Sequence, residues 1–137
     1  MSQPFTQLYV HYVWATRDRL PLIDPSWEAD LHAAIAAKCR EFGCDVLAVN
    51  GSIDHVHLLV RLPATITVAG LVKEAKGASS HLANRVLSRS AAFRWQVGYG
   101  AFTVGKSGVE AVARYVRTQG QRHASGRVIG DLERWDG

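Results

Sequence analysis

The sequence is poor in cysteine and has no long apolar run, and these two shortages exclude several classes of protein. Its two cysteines, Cys39 and Cys44, fit neither a disulfide framework nor a zinc-ligand pattern. No apolar run approaches the roughly 20 residues that span a bilayer. Residues 1–7 lack the basic stretch and apolar core of a secretory signal. We therefore expect a cytoplasmic protein with reduced, packed thiols and no membrane segment.

The net charge is small and positive, and most of the cationic residues are arginine. Charged residues make up 20% of the 137 positions and hydrophobic residues 47%, which is typical of one globular domain rather than a disordered chain. Lysine and arginine outnumber aspartate and glutamate by 16 to 12, and twelve of the sixteen cations are arginine. Because guanidinium groups suit forked contacts with phosphate, this balance allows a polyanionic partner without requiring one.

Hydrophobic periodicity and turn residues divide the chain into seven elements. The predicted elements are a strand over 5–16, a helix from Asp24-Pro25 to Phe42, strands over 44–50 and 53–62, a helix over 66–89, a strand over 95–104 and a helix from 107 to about 123. Asn50-Gly51-Ser52 is a hairpin signal, and residues 77–80 are expected to bend or split the second helix. Residues 107–110 form a capping-box sequence.

The order β-α-β-β-α-β-α predicts an α+β fold. Its first six elements match the split β-α-β plan, in which an antiparallel sheet carries helices on one face. The seventh element is then an additional C-terminal helix. The chain shows no repeat and no linker, so we expect residues 1–137 to form one domain, with 124–137 as a loosely held tail.

His55 and His57 are the most specific local feature of the sequence. They lie two residues apart in a predicted strand, so both side chains project from one face with Cα atoms about 6.5–7 Å apart. Two imidazoles in this arrangement can converge on one cation, and the strand would hold them rigidly. For an isolated His-X-His pair, two half-buried histidines on a sheet face are at least as good an interpretation.

The last predicted helix offers partners for the histidine pair. At 100° per residue, Val109, Val112 and Val116 form its apolar stripe. Tyr115 and Gln119 lie one above the other on the shoulder of that stripe. Tyr115 is a candidate nucleophile and Gln119 a candidate neutral oxygen ligand. Taken singly, each is better explained as a boundary residue between core and solvent.

The segment Gly100–Ser107 satisfies the phosphate-loop pattern G-x-x-x-x-G-K-[ST], with Lys106 as its lysine. We disfavour this interpretation because a phosphate-loop fold needs a parallel sheet and a later strand that ends in a metal-binding aspartate. Only thirty residues follow Ser107. The interior residues also resemble a strand rather than a loop of small residues. A phosphate-loop nucleotide hydrolase therefore stays as the weaker alternative.

Four short segments are more informative in combination than singly. They are Tyr12-Val13-Trp14-Ala15-Thr16-Arg17-Asp18-Arg19, Asp54-His55-Val56-His57-Leu58-Leu59-Val60, Gly98-Tyr99-Gly100-Ala101-Phe102 and Tyr115-Val116-Arg117-Thr118-Gln119. Together they resemble the single-tyrosine HUH transposases, the small insertion-sequence class that includes the REP-associated tyrosine transposases. The resemblance extends from about residue 6 to residue 123. It also explains the match over 100–107, because the family has a glycine-bearing strand there that leads to its tyrosine helix.

The resemblance implies a ferredoxin-like fold, a divalent metal and a single-stranded DNA substrate, often with hairpin ends. It implies that His55, His57 and Gln119 bind Mg²⁺ or Mn²⁺. Tyr115 would be the nucleophile of an endonuclease and strand transferase, forming a 5′-phosphotyrosine intermediate. Family members act as homodimers in which the tyrosine helix of one subunit can complete the metal site of the other, so the site could form within one subunit or across two.

Six basic residues are candidates for contacts with the DNA backbone, through an attraction that salt weakens. They are Arg17, Arg19, Lys73, Lys76, Arg85 and Arg122. For any one of them, a solvated polar surface explains the charge equally well. Many relatives have two histidines after the tyrosine helix, whereas here Arg122 precedes His123, which leaves open whether His123 is a ligand. A module of the same fold that binds nucleic acid without catalysis is the first alternative function.

Overall fold

The computed structural model describes residues 4–88 and 92–119 and arranges them as a four-stranded sheet with helices on both faces. The elements are β1 (Leu8–Ala15), α1 (Glu28–Glu41), β2 (Asp45–Gly51), β3 (His55–Leu62), α2 (Val68–Leu82), β4 (Gly100–Val104) and α3 (Val109–Arg117). The strand order is β2-β3-β1-β4, and every neighbouring pair is antiparallel. This is the ferredoxin-like α+β fold predicted from the sequence.

The two faces of the sheet bury different kinds of side chain, because neighbouring residues of a strand point to opposite faces. The face under α1 and α2 is apolar and forms the main core, in which Tyr12 and Trp14 of β1 pack with Leu58 of β3. The opposite face carries His11, His55 and His57 and lies under α3. The last helix therefore covers the polar face of the sheet.

Helix α1 begins at Glu28, later than the Asp24-Pro25 signal predicts. The Asp24 carboxylate accepts a hydrogen bond from the Ser26 backbone N–H at 2.8 Å and so caps a separate turn, after which Trp27 is the helix N-cap. Asp24 therefore caps a turn, and its predicted place as the helix N-cap is wrong.

Helix α2 runs unbroken through Gly77 and its neighbours, so the predicted bend at 77–80 is wrong. The Ser79 hydroxyl donates to the Ala75 carbonyl at 2.7 Å, a bond that keeps the polar side chain within the helix. The irregular turn comes later, as a π-helical segment over Ala83–Leu87. The Ser79 hydroxyl is thus hydrogen-bonded inside the helix, and the weak helix propensity of this stretch does not break α2.

The turn between β2 and β3 also lies later than the hairpin signal predicts. Gly51 still pairs with Val56 across the sheet, and the Ser52 N–H donates to the His55 carbonyl at 3.0 Å. The turn is therefore formed by residues 52–54. Position 51 requires glycine because the backbones of Gly51 and His55 lie close together. A Cβ at position 51 would collide with the His55 carbonyl oxygen.

Gly51→Ala should lower the free energy of unfolding by roughly 1–3 kcal/mol, because the new Cβ forces the β2–β3 backbones apart. Gly105→Ala is the matched control. A Cβ at Gly105 meets nothing within 4 Å, and its φ of −71° and ψ of 153° suit alanine, so it should cost less than about 0.5 kcal/mol. Urea denaturation of both variants checks this, and equal stability changes would contradict the argument.

His32 on α1 should make the fold sensitive to acid. Burial lowers its pKa from 6.5 to about 4, which outweighs the attraction of the Glu28 carboxylate 3.6 Å away. The unfolded chain therefore takes up a proton at higher pH than the folded chain. The stabilisation from neutral His32 is complete above about pH 6.5 and is lost as the pH falls towards 4.

His32→Leu removes this titration. Between pH 7 and pH 4.5 the unmodified protein should therefore lose roughly 2–3 kcal/mol more stability than the variant. Urea unfolding of both proteins at the two pH values measures the difference. Parallel losses in the two proteins would show that His32 does not carry the acid sensitivity.

Helix α3 packs on the sheet through its predicted apolar stripe, with Val116 buried and Val109 and Val112 packed against the same cluster, but the buried face extends further round the helix than predicted. Tyr115 and Gln119, expected on the shoulder of the apolar stripe, are 3% and 0% exposed, whereas Val109 and Val112 are only half-buried. The N-cap is Gly108, and no side chain caps the helix, so the expected capping box does not form. The shoulder positions that carry the tyrosine and glutamine are therefore part of the buried face.

The segment over 100–107 does not form a phosphate loop. Gly100–Val104 is strand β4, which pairs antiparallel with β1, and Lys106 lies in a 3-10 turn before α3. A phosphate loop curls its backbone amides around the anion, whereas this backbone is extended in a sheet ladder. The phosphate-loop interpretation is therefore excluded.

The cysteines lie in the core on the α1 side of the sheet. Cys39 and Cys44 are buried and form no disulfide. Burial raises the pKa of Cys39 to about 12, so its thiol stays protonated and a poor nucleophile. Within the residues that the structure describes, no helix has both the length and the apolar composition to cross a membrane.

Candidate functional site

The sheet brings His55 and His57 together beneath α3. Their ring centroids are 5.1 Å apart with planes at 77°, and the residues are 1% and 0% exposed. Both lie on β3, an inner strand of the sheet: His57 is paired with Val13 of β1 and Asn50 of β2, and His55, the first residue of the strand, is paired with Ala15 of β1 and accepts a hydrogen bond from the Ser52 N–H. The backbone that carries the pair is therefore held on both sides by sheet hydrogen bonds.

The ring of His55 is held through its Nδ1 atom. This atom lies 2.7 Å from Asp54 Oδ1 and 3.0 Å from Ser52 Oγ. The hydrogen bond with His55 is the chief cause that lowers the pKa of Asp54, so its carboxylate is charged and accepts the Nδ1 proton. A neutral ring with its proton on Nδ1 carries its lone pair on Nε2.

The ring of His57 is held in the same way, but by a histidine. Its Nδ1 lies 2.9 Å from Nε2 of His11 on the neighbouring strand β1. The sequence pattern alone does not mark His11 as a residue of the site. Strand alternation could have shown that it faces away from Tyr12 and Trp14, but only the β1–β3 register brings it beside His57.

Helix α3 places the Tyr115 ring against the rings of His57 and His11. Its ring centroid is 5.5 Å from that of His57 and 6.2 Å from that of His11, with ring planes at 87° and 78°. Gln119 follows one turn later and is fully buried. The phenol thus belongs to the same cluster as the imidazoles and is covered by the protein in this arrangement.

The donor atoms of this cluster suit a divalent metal ion. Imidazole nitrogens bind most transition metals, and a carboxamide oxygen adds the kind of ligand that Mg²⁺ and Mn²⁺ accept. The contacts of Asp54 and His11 at the two Nδ1 atoms fit rings that coordinate through Nε2. Over 4–88 and 92–119, no group of three or more His, Cys, Asp or Glu side chains could hold a metal ion, so residues of these four types do not complete a site by themselves.

One short turn carries two of the basic candidates, and one of them reaches the carboxylate beside the histidine pair. Arg17 and Arg19 lie in a 3-10 turn directly after β1, and both are exposed. Arg19 Nη2 is 3.7 Å from Asp54 Oδ1, the carboxylate that holds His55. Asp18 and Arg19 both have left-handed φ angles, 55° and 54°, which set the sharp course of this turn. Arg19 therefore adjoins the His55 side of the cluster through Asp54.

Other basic candidates lie on or after α2, which packs on the opposite face of the sheet. Lys73 and Arg85 are exposed. The Lys76 ammonium donates to the carbonyls of Gln96 and Gly98 at 2.7 and 3.0 Å, so it ties a loop to α2, and burial lowers its pKa. Arg122, His123 and the predicted tail over 124–137 lie outside the described residues.

Comparison with known families identifies the kind of protein that has this arrangement. The family model described as "Transposase IS200 like" matches residues 4–119. The chain belongs to the IS200-like transposase family. The match spans the whole cluster, from His11 on β1 to Gln119 after α3, and family membership makes the chain a DNA transposase and hence a DNA-processing enzyme.

Two solved structures resemble this transposase in fold. A protein of Deinococcus radiodurans R1 assigned as a transposase has a TM-score of 0.66 and 21% identity, covering 87% of this chain and 98% of its own. A REP-associated tyrosine transposase bound to a REP hairpin has a TM-score of 0.66 and 14% identity, covering 93% of this chain and 74% of its own. Such low identities establish the fold alone. Among curated protein sequences, none matches the chain.

Proposed function

We propose that this transposase cleaves and rejoins single-stranded DNA through a covalent bond to Tyr115. The observation that carries the proposal is the contact of the Tyr115 ring with His57, 5.5 Å between centroids, beside a second histidine on the same strand. A nucleophile next to a pair of metal-ligating side chains is the arrangement that phosphoryl transfer needs. Family membership supplies DNA as the substrate.

In the proposed first step, Tyr115 Oη attacks a DNA phosphorus atom. The Oη–P bond forms as the P–O3′ bond breaks, the phenol loses its proton, and the departing 3′ oxygen gains one. The products are a 5′-phosphotyrosine and a 3′-OH. Because the phosphodiester energy is retained, another 3′-OH can attack the phosphotyrosine, restore the phenol and join new ends.

A bound cation has a clear purpose in this chemistry, because a phenol with an ordinary pKa near 10 is a weak nucleophile at neutral pH. His55, His57 and Gln119 would hold Mg²⁺ or Mn²⁺, which supplies charge neutralisation at the scissile phosphate. The chain's own part is to hold two imidazoles on a rigid strand and to present the phenol from α3. Imidazoles also bind Zn²⁺ and Ni²⁺, so ligand type alone does not select the metal.

We further propose DNA with hairpin ends and a homodimeric enzyme. The REP-associated relative is bound to a hairpin, which supports the first part. Arg19 is exposed and lies 3.7 Å from the Asp54 carboxylate that holds His55, so it is the best-placed cation for the DNA backbone, and exposed Arg17 lies in the same turn. The contact of Tyr115 with His57 in one chain favours a site built within one subunit, and light scattering would measure the dimer.

The test is a denaturing gel of the protein mixed with end-labelled single-stranded oligonucleotides, with and without a hairpin, in Mn²⁺ or in chelator. The expected result is a protein–DNA adduct that survives denaturation and a shorter strand with a 3′-OH, both dependent on Mn²⁺. A shift on a native gel without adduct in any metal would instead support the non-catalytic binding module.

A further inference from the structure

His11 is a buried histidine outside the proposed ligand set, and its contact with His57 has a chemical consequence. The residue is 0% exposed, and its Nε2 lies 2.9 Å from His57 Nδ1. The ring planes are 23° apart and the centroids 5.1 Å apart, so the two nitrogens, 2.9 Å from each other, lie between the ring centres. The rings therefore meet edge to edge through these two nitrogens, which is the geometry of an N–H···N hydrogen bond.

Such a bond fixes the proton positions in both rings. A neutral imidazole has one N–H donor and one acceptor nitrogen, so one ring donates and the other accepts. If His11 donated, the His57 proton would sit on Nε2 and that atom could not bind a metal. Ligation through Nε2 therefore requires His57 Nδ1–H to donate and His11 Nε2 to accept.

We propose that His11 is a positioning residue that sets the tautomer and the orientation of His57 for metal binding. This inference rests on the proposed function in taking His57 as a ligand. Asp54 plays the equivalent part for His55 with a charged carboxylate. A neutral acceptor at His11 orients the second ring without adding another negative charge near the DNA phosphate that the proposed reaction brings in.

Three variants separate this role from packing. His11→Phe keeps a buried ring but has no acceptor, and His11→Gln places a carboxamide oxygen near the position of Nε2. Val13→Ala is the packing control, because Val13 is paired with His57 in the β1–β3 register and its truncation leaves the hydrogen bond in place.

Two measurements are expected to agree. In the metal-free protein, ¹⁵N NMR of the imidazoles should show the His57 proton on Nδ1 in the unmodified chain and in His11→Gln, and a mixture of tautomers in His11→Phe. In calorimetry, Mn²⁺ affinity should fall about 10–100-fold in His11→Phe, recover for the most part in His11→Gln and stay unchanged in Val13→Ala.

The outcomes distinguish this inference from the proposed function. An unmodified protein that has the Nδ1–H tautomer at His57 but binds no Mn²⁺ would refute the metal site and leave the His11 contact established. A His57 proton on Nε2 in the unmodified protein would overturn the role of His11, and this measurement needs no variant to fold. An unaltered tautomer and Mn²⁺ affinity in folded His11→Phe would overturn it as well.

Discussion

Tyr115→Phe should abolish DNA cleavage and the covalent adduct while leaving DNA binding nearly intact. The change removes only the phenol oxygen, and the ring that packs against His57 and His11 stays. Loss of a nucleophile lowers turnover by roughly a thousandfold or more. The denaturing gel measures cleavage and adduct, and a native gel measures binding.

The matched control is Tyr12→Phe, which removes a phenol oxygen on the other face of the sheet. Tyr12 Oη donates to the Val68 carbonyl at 2.9 Å, so this variant should lose about 1 kcal/mol of stability and keep its cleavage activity. Cleavage that survives in Tyr115→Phe would mean that the nucleophile lies elsewhere.

Tyr115 is buried, so a DNA phosphate needs a route to its phenol oxygen. At 3% exposure, the phenol reaches a phosphate only if α3 shifts from the sheet. The helix has nine residues and rests on a small apolar cluster, and its end is tied to β2 by Asn50 Nδ2, which donates to the Arg117 carbonyl at 2.7 Å. A short helix with few buried partners opens at lower cost than the whole domain unfolds. We therefore expect α3 to open before cleavage, which requires this hydrogen bond to break.

The parts of the fold that the sequence predicts are those that depend on local pattern. Alternation along β3 predicts that His55 and His57 share a face, since the period of a strand is two residues whatever lies beside it. The element order likewise predicts the split β-α-β plan, because connection lengths and hydrophobic periods are local properties.

The parts that the sequence does not predict depend on contacts between distant residues. The pairing of His11 with His57 spans 46 positions and follows from the strand register. The burial of Tyr115 and Gln119 beside the apolar stripe of α3 follows from how the helix packs on β2 and β3, which the helical period alone does not give. The turn between β2 and β3 begins only after Gly51 because the Gly51 backbone lies against that of His55. Amino-acid composition does not predict this contact.

His57→Ala should remove metal-dependent cleavage and weaken Mn²⁺ binding by more than the roughly 100-fold effect of losing an outer hydrogen-bond partner. The substitution deletes one of the two imidazoles in the proposed ligand set and leaves an amide and one ring. Calorimetry on the folded variant measures the loss, and His81→Ala, an exposed histidine near the end of α2, is the control that should bind Mn²⁺ normally. Unchanged affinity in His57→Ala would remove it from the ligand set.

Mixing this variant with Tyr115→Phe tests where the site is assembled. If each subunit joins its own tyrosine to its own histidines, as the Tyr115–His57 contact indicates, every subunit of a mixed dimer lacks one essential group and cleavage stays absent. If the tyrosine helix serves the partner, one site of the mixed dimer combines an intact phenol with an intact histidine pair. Recovery of adduct in the mixture would therefore place α3 across the subunit boundary during catalysis, and its absence, with mixed dimers demonstrated, would keep the site within one chain.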